Sequence, residues 1–332
     1  MNAKLFDNLN IATSIVFICF IILTSVVFSK DTGLIFVSNE KSHEVIVIDP
    51  DTYEIIKSIK TSKRPRDLEW NSDKSKLYVA CGDDDIIDVI DIETLEIVDQ
   101  IDTGPSPEVF VFSPDEKLIY VSNEEDSSLG ILDLEEGIIM NSVPTGAEPE
   151  GVITSKDGKT IYVTSEVADM VHVINADELF VEKNIIVGTR PRRFAFTPDE
   201  KELWVTAELS GEVWIIDTSN HEIIDVMKFL PPGFREEDVT PVGLTMNKEG
   251  TLTYLSLGRA NHIAVVDTIK REVLDYILVG SRAWEVALTR DEEKLFVANG
   301  LSDDVTIINL KNNTVIKSIP VGRVPHTVVI DD

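Results

Sequence analysis

Seven positions at a nearly constant spacing carry side chains that could bind a ligand or react. Six prolines and one alanine recur along the chain at intervals of 42 residues, with a single interval of 50. The residues that follow them are Arg66, Glu108, Glu150, Arg192, Val242, Trp284 and His326. Arginine can clamp a carboxylate or quinone through paired hydrogen bonds, glutamate attracts cations, and tryptophan offers a flat face. If the chain brings these positions together, they would form a recognition site.

A second set of recurring positions holds carboxylates. The residue after each strand of the Ile-Tyr-Val-Ser-Asn type is a glutamate in four of the seven repeats: Glu40, Glu124, Glu166 and Glu208. Carboxylate oxygens are ligands for calcium or another divalent cation, so convergence of these four residues would give a weak metal site. Arg193, beside Arg192, adds another cation to the first set.

The elements that must position these side chains repeat with the same period. Strands such as IFVSNE, LYVACG, IYVSNE and LFVANG recur, and the strand after each of them ends in aspartate or asparagine. A unit near 40 residues that holds four strands is typical of a propeller blade. The sequence therefore predicts an all-β fold, a seven-bladed β-propeller of four-stranded antiparallel blades. A β-solenoid is the alternative, although its rungs would be shorter.

The two ends of the repeat array predict how the ring closes. The array opens on the strand IFVSN and ends on an inner strand, PHTVVI. We therefore expect the C-terminal strand to join the N-terminal blade, which would hide the sheet edges of an open array. Residues 30–332 are expected to form one domain.

Both sets of side chains are predicted to lie on one rim, because the inner and second strands of a blade run antiparallel. The turns of the opposite rim (SPDEK, TPDEK, SKDGK) are near copies of one another, whereas the first rim varies in chemistry. Such variation favours a site for a ligand or partner. The alternative is structural: the arginines would pair with the glutamates across the channel, and the tryptophan and histidine would only line it.

Charge limits the partners. The chain has 30 basic and 59 acidic residues, a formal net charge of -29, so nucleic acid would be repelled and a basic, cationic or metal-bearing partner is favoured. The sequence also lacks a Gly-rich phosphate loop, a dinucleotide fingerprint, a nucleophile elbow and a paired-histidine zinc motif.

The first residues predict export. An uncharged apolar run, residues 11–28, precedes the polar sequence SKDTG, so residues 1–29 are expected to be a Sec-type signal peptide that cleavage after Ser29 would remove. Cleavage would give a periplasmic or secreted monomer without membrane contact. Failure to cleave would leave an anchor. Cys81 is the only cysteine beyond this segment, so the mature chain has no internal disulfide.

The repeats resemble a known family. Strands such as IYVTSE, with IPVG and SPDEK, are similar to the Tyr-Val-Thr-Asn (YVTN) β-propeller repeats. Longer stretches, among them CGDDDIIDVIDIETLE, ELWVTAELSGEVWIID and EVLDYILVGSRAWEVALT, resemble the propeller proteins associated with pyrroloquinoline quinone (PQQ)-dependent catabolism. This resemblance covers the chain from about Gly33 to the C-terminus. It implies a periplasmic accessory protein of PQQ-dependent alcohol oxidation and its c-type cytochromes.

The sequence thus predicts a non-catalytic propeller that binds a partner or small ligand on its variable rim. The expected ligands are PQQ or a divalent cation such as calcium, and the expected partners are a PQQ-dependent dehydrogenase, a c-type cytochrome or a transporter component. Two alternatives stay open. Glu150, Arg192 and His326 could activate a water molecule in a lactonase-like hydrolase. The chain could also be a cell-surface or adhesion propeller.

Overall fold

A computed structural model of the chain describes residues 31–332. The predicted signal peptide therefore lies outside the described residues. None of the helical segments within 31–332 has the length and apolarity that a membrane span needs.

The described residues form seven four-stranded antiparallel sheets, as the repeat predicted. Sequential strands pair in every sheet. The inner strands are β4 (Pro65–Trp70), β8 (Pro107–Phe112), β12 (Pro149–Thr154), β16 (Pro191–Phe196), β20 (Leu244–Met246), β24 (Ala283–Leu288) and β28 (Pro325–Ile330). The second strands are β1 (Ile35–Asn39), β5 (Lys76–Cys81), β9 (Leu118–Asn123), β13 (Thr160–Ser165), β17 (Glu202–Ala207), β21 (Leu252–Ser256) and β25 (Lys294–Asn299).

The outer half of each blade holds the remaining strands. The third strands are β2 (Glu44–Ile48), β6 (Ile86–Asp91), β10 (Ser128–Asp133), β14 (Met170–Asn175), β18 (Glu212–Asp217), β22 (His262–Asp267) and β26 (Asp304–Asn309). The outer strands are β3 (Ile55–Lys60), β7 (Glu96–Asp102), β11 (Ile138–Pro144), β15 (Phe180–Ile186), β19 (Glu222–Lys228), β23 (Glu272–Leu278) and β27 (Thr314–Pro320).

The ring closes through the C-terminal strand. β28 pairs antiparallel with β1, so that Ile330 lies opposite Ile35, and blade 1 has the order β28-β1-β2-β3. Blades 2 to 7 follow in chain order, from β4–β7 to β24–β27. Each inner strand contacts the inner strands of the two neighbouring blades, and β24–β28 and β28–β4 contacts complete the circle. The predicted seven-bladed propeller with a shared terminal blade is confirmed.

The hydrophobic core lies between the blades. Each of the seven apolar clusters joins two consecutive blades, as where Phe36 and Val45 of blade 1 pack on Leu77 and Val79 of blade 2. Full burial of such a side chain stabilises the fold by about 1.5–3 kcal/mol. The β-branched and aromatic residues of the second and third strands therefore hold adjacent sheets face to face.

A bulge shapes the start of the inner strands. In β4, Pro65 pairs with Cys81 and Leu68 with Val79, so Arg66 and Asp67 stand outside the regular ladder. The same irregularity recurs in β8, β12, β16 and β24. A bulge of this kind redirects side chains, and in these five inner strands it places two successive residues at the channel.

A hydroxyl of the second strand holds this bulge. Thr206 accepts a hydrogen bond from the backbone N–H of Arg193 (3.0 Å) and donates to the carbonyl of Val242 in the next blade (2.8 Å). Ser38 and Thr164 make the same two bonds in their blades. The recurrent Ser or Thr after Val in the repeat thus links neighbouring blades at the channel wall.

The one long interval between repeats is an irregular segment with a 3-10 turn at Glu236–Asp238. It packs on blades 5 and 6: the backbone N–H of Leu230 donates to the hydroxyl of Tyr276 (3.0 Å), and the ring of Phe234 lies edge-on to His262. Blade 6 has a correspondingly short inner strand, Leu244–Met246.

Candidate functional site

The residues that follow the recurrent prolines form one layer across the channel, the arginine layer. Their placement comes from the bulges, and nearly all are buried: Arg66, Glu108, Glu150, Arg192, Val242 and His326, with Trp284 partly exposed. The sequence predicted that six of these side chains would converge, and the ion pairs among them show that they are close together.

Glu150 is the centre of this layer. Its Oε1 atom lies 3.0 Å from Nη2 of Arg66, 2.7 Å from Nη1 of Arg193 and 3.5 Å from Nη2 of Arg192. Burial alone would raise the pKa of Glu150, but the guanidiniums of Arg192, Arg66 and Arg193 outweigh it and hold the pKa well below its usual range. Glu150 is therefore a firmly ionised anchor for three cations.

Glu108 is the second carboxylate of the layer. Its Oε2 lies 2.6 Å from Nε of Arg66, and its Oε1 lies 2.7 Å from Nη2 of Arg64. Arg66 also reaches Glu40 at 3.1 Å. This arrangement is the cross-channel pairing that the sequence left open as the structural alternative.

Trp284 and His326 lie side by side, with ring centroids 5.3 Å apart. The guanidiniums of Arg192 and Arg282 lie over the indole, each 4.9 Å from the ring centroid. Burial, followed by the charges of Arg66 and Arg193, holds the pKa of His326 well below its usual range. The imidazole is therefore neutral, and its Nδ1 is 2.9 Å from the hydroxyl of Thr327.

The four glutamates of the predicted metal ring each contact arginine. Glu166 is paired with Arg190 and Arg192, Glu208 with Arg190 and Arg282, Glu40 with Arg66 and Glu124 with Arg64. Within residues 31–332, no three Asp, Glu, His or Cys side chains come close enough together to hold a metal ion.

Acidic residues that the sequence patterns did not single out lie just beneath this layer. Asp67, Glu69, Arg193 and Glu285 line a channel cavity of about 240 Å³. Asp67 and Glu69 alternate along β4, and alternate residues of a strand share one face. The signal was present in the sequence, because PRDLEW and AWEVAL carry acidic residues where PEVFVF has only apolar ones.

The two carboxylates of β4 have unusual proton affinities. Burial raises the pKa of Asp67 to about 6, against the opposing charge of Arg193. Burial also raises the pKa of Glu69 well above its usual range, and the neighbouring Asp67 carboxylate adds to the shift. Glu69 therefore holds its proton more firmly than Asp67 does, and two carboxyl groups whose pKa values are raised to different extents can act as acid and base.

Arg193 and Glu285 complete the cavity. Nε of Arg193 lies 2.6 Å from Oε1 of Glu285, while the backbone N–H of Phe110 donates to Oδ2 of Asp67 at 3.2 Å. Gly243 makes room for Glu285, because an added Cβ would lie 2.6 Å from its Oε2 atom. The cavity thus holds a guanidinium, a base and an acid on a rigid strand framework.

The channel is more open away from the arginine layer. In β4, β8 and β12 the first four residues are buried and the last two are partly exposed. A larger cavity of about 620 Å³ lies at the repetitive-turn end, lined by residues of blades 5 to 7, and shares Phe194 with the acidic cavity. The wall around Asp67 and Glu69 is therefore less enclosed at this end than at the arginine layer.

A second constellation resembles a nucleophilic triad but is closed to solvent. Nε2 of His172 is 2.9 Å from the hydroxyl of Ser165, and Nδ1 is 2.6 Å from Oδ1 of Asn184. The backbone N–H of Gly146 also donates to Nε2. Ser165 has no exposed surface, so these contacts serve to join the strands of blade 4.

Comparison with known families now places the chain. Residues 24–193 match the YNCE-like β-propeller family, and residues 181–318 match the family described as lactonase, 7-bladed β-propeller. Because the first match spans half of the sequence, the chain belongs to the YNCE-like β-propeller family. No curated protein matches it.

Solved structures share the fold at low sequence identity. A chain of Kuenenia stuttgartiensis hydrazine synthase is 21% identical, with a TM-score of 0.76, and the match covers 85% of this chain and 94% of that one. The Pseudomonas aeruginosa periplasmic gluconolactonase PpgL is 19% identical, with a TM-score of 0.74 and 90% and 98% covered. A putative 6-phosphogluconolactonase from Bacteroides fragilis is 19% identical, with a TM-score of 0.76 and 91% and 99% covered.

These findings correct the functional prediction. The expectation of a non-catalytic protein that supports PQQ-dependent alcohol oxidation is wrong. The lactonase match over blades 5 to 7 favours the hydrolase alternative, and similar structures carry lactonase names. The physical reason for the error is that the residues after the prolines pair with one another in the arginine layer, whereas the carboxyl groups with raised pKa values lie beneath it.

Proposed function

We propose that this propeller hydrolyses a lactone in the channel cavity beneath the arginine layer. One observation carries the proposal: Asp67 and Glu69, with pKa values raised to different extents, line the same small cavity as the guanidinium of Arg193. The lactonase family match and the names of similar structures support this reaction class.

The proposed reaction uses these three groups in sequence. Ionised Asp67 takes a proton from a water molecule while the oxygen of that water attacks the lactone carbonyl carbon. Arg193 stabilises the negative charge that develops on the carbonyl oxygen. The ring carbon–oxygen bond then breaks, and protonated Glu69 gives its proton to the leaving alkoxide. A hydroxy acid results, and proton exchange between Asp67 and Glu69 restores the starting state.

This assignment moves the base from the residues that the sequence suggested for a hydrolase. Three guanidiniums lie against Oε1 of Glu150 and hold the pKa of this carboxyl well below its usual range, so Glu150 is a poor proton acceptor. His326 has no exposed surface. Asp67 instead faces the cavity with a pKa near the working pH of a general base.

The size of the cavity favours a cyclic ester. Pockets for small molecules are commonly roughly 300–1,000 Å³, so a volume of about 240 Å³ suits a single ring rather than an extended chain. The arginine layer closes one end of the channel. In the proposed reaction this closure keeps the water molecule and the lactone ring close to Asp67 and Glu69.

Two features beyond the reaction stay as proposals. The export signal at residues 1–29 favours a periplasmic or secreted enzyme, because the segment is apolar and is followed by small and polar residues. The YVTN type of repeat is proposed from strands such as IYVTSE, and no function is inferred from it.

The direct test is a substrate panel with the purified protein, residues 30–332. Proton release would be followed with five- and six-membered lactones, including a sugar lactone, and with linear esters of the same acids. We expect turnover of at least one lactone above the uncatalysed rate and little turnover of its linear ester. Equal rates with and without protein for every lactone would overturn the proposed function.

A further inference from the structure

The rim of the channel that carries the loops before the inner strands, the loop rim, holds an unusual concentration of arginine around Trp284. Four guanidinium-bearing residues, Arg190, Arg192, Arg259 and Arg282, come from blades 5 to 7. Arg192 and Arg282 lie over the same indole, and Arg190 and Arg282 both contact Glu208, at 3.3 Å and 3.0 Å. The cluster is therefore compact.

Its charges are not balanced. Ion pairs join three of these arginines, Arg190, Arg192 and Arg282, to Glu166 and Glu208, while Arg192 shares Glu150 with Arg66 and Arg193. Arg259 is exposed and makes no ion pair among residues 31–332. Burial and the repulsion of Arg259, Arg192 and Arg190 lower the pKa of Arg282 despite its contact with Glu208. An excess of positive charge is thus held in place in a chain of net charge -29.

The rim also presents an unused hydrogen-bond donor. The indole Nε1–H of Trp284 has no acceptor within the described part of the chain, although the residue is partly exposed. Gly300 allows the indole to lie where it does, since an added Cβ would be 2.6 Å from Nε1. Arg190 and Arg282 keep about 41% and 21% of their side chains exposed, so solvent reaches the same place.

We infer that this arginine cluster is a binding site for a compact oxyanion, with Arg190, Arg259 and Arg282 as cations and Trp284 as a neutral donor. Guanidinium groups bind carboxylate and phosphate oxygens through paired hydrogen bonds, which lysine does not match. The shared chemistry is a small anion with two or more negative charges. The inference does not rest on lactone hydrolysis, because binding at the loop rim needs no reaction in the channel.

The test is calorimetric titration of the protein with inorganic phosphate and, separately, with succinate, at ionic strength matched with chloride. We expect saturable binding of at least one anion, and the one that binds identifies the source as phosphate or carboxylate. Because one charge-assisted hydrogen bond is lost, Arg259→Gln should weaken binding about tenfold.

Arg323→Gln is the matched control, because Arg323 is an exposed arginine in the loop before β28 and has no part in the cluster. It should leave affinity unchanged. Failure of both anions to bind at millimolar concentration, or equal weakening by the two substitutions, would overturn the inference. Since both side chains are exposed, neither change should impair folding, which thermal denaturation would verify.

Discussion

Asp67 is the residue on which the proposed chemistry depends most. The residue is 8% exposed, its carboxylate accepts a hydrogen bond from the backbone N–H of Phe110, and it lines the same cavity as Arg193. Burial raises the pKa of Asp67 to about 6, because the charge of Arg193 offsets only part of the lost hydration. Ionisation of Asp67 at neutral pH therefore lowers the stability of the folded protein. A group of this kind is typical of functional sites.

Replacement of Asp67 by asparagine should stabilise the fold at high pH. The folded pKa lies above the unfolded one, so ionisation of Asp67 reduces stability as pH rises through 6. Asp67→Asn removes that penalty and should raise the free energy of unfolding by on the order of 2 kcal/mol near pH 8. Near pH 4 the two proteins should be similar. Urea denaturation at both pH values would measure this, and a less stable variant at pH 8 would show that attraction to Arg193 dominates.

The pH dependence of hydrolysis follows from the same two carboxylates. Asp67 must be ionised and Glu69 must keep its proton, so kcat/KM should fall below about pH 6 and again at alkaline pH. Glu69→Gln should lower kcat and remove the alkaline limb. Rates measured across the pH range would test this, and a flat acidic side down to about pH 4.5 would exclude Asp67 as the base.

At the scale of elements, the inner strands decide what the channel can do. Their bulges place two successive residues at the channel, and the Ser or Thr of the second strand fixes that geometry. Blade 6 departs from this pattern, because its inner strand starts only at Leu244 and Gly243 lies against blade 7. Because Gly243 has no side chain, the carboxylate of Glu285 has space beside it.

Gly243→Ala should therefore damage both stability and substrate binding. The new Cβ would lie 2.5 Å from the carbonyl oxygen of Trp284 and 2.6 Å from Oε2 of Glu285. We expect a loss of about 1–3 kcal/mol, as for other overpacked sites, together with a higher KM. Gly137→Asn is the control, since nothing lies within 4 Å of its Cβ and asparagine tolerates the φ of 65°. Equal effects of the two changes would contradict this account.

The sequence predicted the elements better than the site. A 42-residue period fixes strands, turns and blade order, because each blade repeats the same local chemistry. It also predicted that Arg66, Glu150, Arg192 and His326 would share one layer. It left open whether the arginines would pair with Glu108 and Glu150 across the channel, as they do. It did not predict the ion pair of Arg193 with Glu285, which joins residues from different blades. Asp67 was missed although it stands where another inner strand has valine, because the spacing of the prolines does not reveal the bulge that places a second residue at the channel.

At the scale of the whole molecule, closure by β28 holds the ring together. Its residues Val328 and Ile330 pack in the cluster between blades 7 and 1, and its backbone pairs with β1. Without β28, β1 would present an unpaired edge, and the inner wall of the channel would lack one of its seven strands.

Deletion of residues 325–332 should therefore cause aggregation and loss of cooperative unfolding. A permuted chain that carries these residues directly ahead of Asp31 is the matched control. It should fold, because the backbone N–H of Gly33 already donates to the carbonyl of Asp331 at 2.6 Å. Light scattering and thermal denaturation would compare the two. A monomeric, cooperatively folded deletion variant would contradict the closure argument.

The central claim is tested most directly by the rate of lactone hydrolysis at pH 7 in the native protein and in Asp67→Asn, with Asp126→Asn as the control at an exposed carboxylate. We predict that the native protein and the control turn over the same lactone at equal rates. Asp67→Asn should be slower by about 10²–10⁴-fold while remaining folded. Undiminished hydrolysis by Asp67→Asn, or no hydrolysis by the native protein, would contradict the assignment of this cavity as the reaction site.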